Sequence, residues 1–137
     1  MSNMFSRVLM KAESVVLFTA ALAFLTASAP AFAHHGIARY DTKKVVTVMG
    51  TVTEFRFANP HSIIFLSVKD IAGNVQQWQG ELTSPNFLGR SGWSSHTLKT
   101  GDEVTLSGHP DKTGEKIAWV TKVILPSGRE LGSDGEN

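Results

Sequence analysis

Five histidines are the residues of this chain best suited to chemistry near neutral pH, and two of them, His34 and His35, stand side by side. An unperturbed imidazole titrates at about 6.5, and an α-amine at about 7.7–8.0, so both can present a free lone pair at physiological pH. His34 directly follows Ala31-Phe32-Ala33. That tripeptide has the small side chains at positions −3 and −1 that signal peptidase requires, so cleavage after Ala33 would make His34 an N-terminal residue. An N-terminal histidine can chelate one ion through its amine and its own ring. A third nitrogen would complete the planar set that Cu(II) favours.

The residues ahead of the histidines agree with export. Arg7 and Lys11 supply a basic start, with Glu13 a small departure, and Val15 to Leu25 is an apolar run of 11 residues. A membrane-spanning helix needs ~20, so 1–33 reads as a cleaved signal peptide and not as an anchor. The alternative cut after Ala29 would leave Pro30 just beyond it, where proline is disfavoured. The expected location is the periplasm or the medium, with no stable membrane insertion after cleavage.

The third nitrogen must come from His35, His61, His96 or His109, with His61 the first choice. His61 follows Asn59-Pro60 in a break between two strand patterns. Glu81 closes the third strand pattern, and an antiparallel return would bring it back to His61. It reads either as a supporting oxygen ligand or as a carboxylate at the start of a following helix. His109 lies in the turn between the fourth and fifth patterns. His96 has no evident partner. The candidate metal set is therefore His34, His35, His61, Glu81 and His109. A second set is aromatic: Phe55, Phe57, Phe65, Trp78, Phe87, Trp93 and Trp119 are many rings for a small domain. Most belong to a core, with Phe57, Trp78 and Trp93 the candidates for contact with a small ligand.

Other chemistries have little support. No cysteine is present, which removes disulfides, thiolate metal sites and thiol nucleophiles. No Gly-x-Ser-x-Gly elbow, phosphate loop or His-Glu-x-x-His helix occurs, so no catalytic residues are assigned and a binding role is favoured over an enzyme. The chain has 13 basic and 12 acidic residues. Cleavage would remove Arg7, Lys11 and Glu13 and leave the signs balanced, without the basic surplus that nucleic acid demands.

The elements that must position these residues are strands. Val46, Val48 and Val52 alternate with threonines, and Gly50 predicts a bulge or bend in a long first strand. Further strands are expected over 62–69, 75–82, 103–108 and 116–125. A short helix is expected over 85–90, with Ser84 as its N-cap and Pro85 in its first turn. Three strands, one helix and two strands is the order of a five-stranded Greek-key barrel of the OB type. The expected organisation is a signal peptide over 1–33, an arm over 34–43, an all-β OB-fold-like barrel over 44–131 and a disordered tail over 132–137.

Several short stretches in this order resemble a family of small, uncharacterised exported proteins of proteobacteria. They are Ala33-His34-His35, Gly50-Thr51-Val52-Thr53-Glu54-Phe55, Asn59-Pro60-His61, Trp78 with Glu81, and Ser84-Pro85 with Leu88. Arg90-Ser91-Gly92-Trp93, Leu98-Lys99, Gly101-Asp102 and Gly108-His109-Pro110 continue the series. Typical members carry serine or a similar residue where this chain has Gly36. The resemblance implies an exported OB-like domain and supplies no activity. Separately, the terminal histidine locally resembles the histidine brace of copper monooxygenases and periplasmic copper carriers. The expectation is therefore a small-ligand-binding protein with copper as a candidate cofactor. The alternative is a metal-free envelope module that holds a protein, peptide or glycan on its barrel face.

Overall fold

Alternation of β-branched residues becomes strand β1, Val46–Arg56, the longest element of the domain. The computed structural model describes residues 35–133. The expected signal peptide and cleavage site, His34, the His35 side chain and residues 134–137 of the expected tail lie outside the described residues. The chain divides after His35 into two units, and the second is the one described here.

A one-turn helix, α1 (His35–Ala38), opens the arm. After β1 come β2 (Ile63–Lys69), β3 (Val75–Glu81), α2 (Pro85–Arg90), β4 (Glu103–Pro110), β5 (Ile117–Ile124) and β6 (Glu130–Gly132). β1 pairs antiparallel with β4 through residues 46–51 and with β2 through residues 51–56. One strand can serve two neighbours in this way only if it bends. The register slips between Val52 and Glu54, just beyond the Gly50 where the interruption is visible in the sequence. Gly50 itself permits a close approach, since a Cβ there would stand 2.8 Å from Val68 Cγ2 and 2.9 Å from the Ser67 carbonyl oxygen.

β2 continues antiparallel into β3, and β4 into β5. Parallel pairing of Gln79, Gly80 and Glu81 with Ile117, Ala118 and Trp119 closes the circuit. The result is the expected all-β, five-stranded, OB-like Greek-key barrel with one short helix between strands 3 and 4. Val52, Ile64, Leu66, Leu106, Val120 and Val123 fill its interior, each at most 1% exposed. α2 adds Leu88 to the core cluster. Ser84 stands at the N-cap, but its side chain makes no capping bond. Its carbonyl instead accepts the N–H groups of Phe87 and Leu88, and Pro85 starts the helix without needing a partner for a missing N–H.

β6 is not foreseen in the sequence, because three residues are too few to display a period of two. It pairs with β5 through Lys122, Val123 and Ile124, buries Leu131, and takes in Gly132 from the expected tail. Ser133 is also buried, and its hydroxyl donates to the Val120 carbonyl. No helix among the described residues is long and apolar enough to cross a membrane.

Candidate functional site

The β2–β3 hairpin sets the geometry at one rim of the barrel. Ile63 faces Glu81 in register, and Ser62 exchanges backbone hydrogen bonds with Leu82 and Thr83 just beyond it. His61 is thereby held beside Glu81, as the antiparallel return requires. The His61 Nδ1–H donates to Glu81 Oε1, because a carboxylate can only accept. The other carboxylate oxygen accepts the hydroxyl of Tyr40. With both oxygens engaged in this way, Glu81 orients the imidazole and does not cap α2.

Tyr40 and Trp119 complete the enclosure. Tyr40 is 1% exposed, and burial, followed by its hydrogen bond to Glu81, pushes its phenol well above the usual range. The Trp119 ring meets His61 edge to face at 5.4 Å and Tyr40 at 5.9 Å. Gly36 runs close to the same imidazole, and a Cβ on it would lie 3.4 Å from His61 Cε1.

The arm crosses this rim because it is tied to the β4–β5 loop. Arg39 Nε donates to Asp111 at 2.6 Å and Arg39 Nη2 to Glu115 at 3.0 Å. Lys112 Nζ donates to the Ala38 carbonyl at 2.7 Å. Backbone bonds join Asp41 to Pro110 and Lys112 to Arg39. The Asp111 side chain is 1% exposed. The Thr113 hydroxyl and the Arg39 guanidinium hold its carboxyl down at about 2.

The remaining candidates are dispersed. His109 directs Nδ1 to the Lys44 carbonyl at 2.8 Å, so its Nδ1–H anchors the arm. His96 is exposed, with its Nδ1 3.2 Å from the neighbouring Ser95 hydroxyl and its backbone N–H donated to the Ser94 hydroxyl. Among the described residues no three His, Asp or Glu side chains converge as a metal would require. Trp93 is 3% exposed and donates its indole N–H to the Gly132 carbonyl. Phe57 is half-buried beside Phe55. Trp78 is also half-buried and lines an open groove of about 530 Å³. Tyr40 and Asp111 are the site residues that sequence reasoning missed. Tyr40 is the only tyrosine, in an arm without a period, and nothing local links it to Glu81. Asp111-Lys112-Thr113-Gly114 signals a turn, not the arm it holds.

The fold and this rim define a small closed β-barrel domain whose N-terminal arm crosses a His–Glu–Tyr relay. The sequence pattern of the family of unknown function DUF6152 matches residues 22–119, and the chain belongs to that family. No curated protein matches it.

Proposed function

We propose that the chain is the precursor of an exported metal-binding protein. Its site would form at His34 once residues 1–33 are removed, with copper the leading candidate. The carrying observation is the state of the His61 ring. Its Nδ1–H is given to Glu81, so a neutral imidazole keeps its lone pair on Nε2. A carboxylate on the far nitrogen of a ligating histidine fixes the tautomer and raises the basicity of the ligating nitrogen. Covalent reach supports the same reading. Gly36 lies near the His61 ring, and two residues of chain span at most about 7 Å, which would let a terminus freed at His34 reach toward that ring.

In this reading His34 supplies its amine and imidazole, and His61 supplies the opposing nitrogen. His35 supports or replaces one ligand. Glu81 is a positioning residue that acts through His61, with Tyr40 holding its other oxygen. The protein buffers or delivers the ion in the periplasm or medium, with no nucleic acid and no membrane insertion in its cycle.

Chelator competition with Cu(II), read together with electron paramagnetic resonance, tests the proposal. Protein beginning at His34 should bind tightly with nitrogen-donor hyperfine structure, and protein with one extra residue before His34 should not. Glu81→Gln should weaken binding by about 10–100-fold while preserving that nitrogen signature. Equal affinity of the two N-terminal forms overturns the proposal, as does an exported protein that starts at any residue other than His34.

A further inference from the structure

The arm is fastened to the barrel at one short stretch. Among the described residues no hydrogen bond ties Gly36 or Ile37 to the barrel, and Ile37 is 54% exposed. The ties begin at Ala38, whose carbonyl accepts Lys112 Nζ. At Arg39 the guanidinium spans two carboxylates of the β4–β5 loop, Asp111 and Glu115. Only residues 35–38 separate Arg39 from His34. Among the described residues, Arg39 is therefore the side-chain anchor of the arm nearest to a terminus freed at His34.

The two carboxylates differ in what they need. Glu115 is exposed, whereas the Asp111 side chain is 1% exposed, and a buried charge requires partners. One Asp111 oxygen accepts the Thr113 N–H and hydroxyl, bonds internal to the loop. The other accepts Arg39 Nε. Thr113 thus shapes the loop, and Arg39 docks the arm onto it. Replacing Arg39 loosens the arm while the loop keeps its own bonds.

Docking of the arm bears on any ion held between its terminus and the rim. A tethered ligand acts at an effective concentration set by the free length of its tether. Undocking at Arg39 lengthens that tether, and apparent affinity falls with the fraction of molecules whose arm is docked. Resting on the reading that His34 and His61 share one ion, we infer that Arg39 is a positioning residue whose latch on Asp111 regulates the affinity of that site. The coupling is reciprocal. The ion holds the arm against the β4–β5 loop, and a partner that opens the Arg39–Asp111 pair lowers the hold on the ion.

The test uses protein beginning at His34, with Cu(II) chelator competition and hydrogen exchange read by mass spectrometry. Cu(II) should slow exchange at the Asp41 and Lys112 amides, which join arm and loop at 2.8 and 3.0 Å. That measurement needs no variant. Arg39→Gln, shown folded by unchanged exchange in β1 and β4, should bind Cu(II) about 5–150-fold more weakly. In a His61→Ala background the same substitution should change affinity little, because docking then brings the ion no second imidazole. Equal affinity of Arg39→Gln and parent overturns the inference, as does an equal loss in both backgrounds or exchange at Asp41 and Lys112 that ignores Cu(II). A parent that binds no more tightly than the form with one extra residue before His34 removes the underlying reading as well.

Discussion

Tyr40 gives the rim its own reporter, because it is the only tyrosine in the chain. Burial and the bond to Glu81 both favour its neutral form. The folded protein should therefore show no phenolate absorbance as pH rises through about 10, where a free phenol ionises. The same chain in denaturant should titrate there. The linkage has a definite sign. A folded-state value raised above the unfolded one contributes stability that is present below about pH 10 and is lost as the pH climbs toward the folded value. A folded-state phenol that ionises near 10 would show that Tyr40 is not sealed against Glu81. At this scale the sequence revealed His61 and its nearness to Glu81, because hairpin pairing is a local rule. It did not reveal that the carboxylate is shared with Tyr40, since that contact spans 41 residues and depends on where an aperiodic arm lies.

Among the elements, the strands and α2 were legible because period-two alternation and the Ser84-Pro85 start are local signals. The arm was not, because what holds it comes from the β4–β5 loop, with Asp111 buried beneath Arg39. That tie predicts an acid limb. The Asp111 carboxyl is lowered from its ordinary 3.8 to about 2, so its contribution to stability is fully present above the ordinary value and disappears as pH falls from about 4 toward 2. Asp111→Asn should therefore be less stable than the parent at neutral pH, and the gap in urea midpoint should close across that acid window. Amide exchange should also quicken at Tyr40 and Asp41 in the variant, leaving the β1–β4 amides protected. A gap that persists unchanged at pH 2 would assign the loss to packing and not to the carboxylate's charge.

For the whole molecule, the closure of the barrel is uneven. Two antiparallel ladders flank β1 with five and six residue pairs, but the parallel seam between β3 and β5 has three. That seam carries Glu81 and Trp119, so the rim depends on the shortest ladder of the closed circuit. Gly80 sits at its centre, where a Cβ would come within 2.3 Å of Leu106 Cδ1 and 2.8 Å of Val120 Cγ2. Both neighbours are buried, so neither can move aside without disturbing the core. Gly80→Ala should cost about 1–3 kcal/mol through overpacking, partly offset by roughly 0.4–1 kcal/mol from the stiffer unfolded chain. Local opening follows the weakest cooperative unit. Hydrogen exchange should therefore accelerate first at the Gln79 amide, which bonds to the Lys116 carbonyl at 2.9 Å, and the β1–β4 amides should change least. Uniform acceleration across all five strands would mean that the barrel opens as one unit, and the seam would then have no separate role in holding the rim.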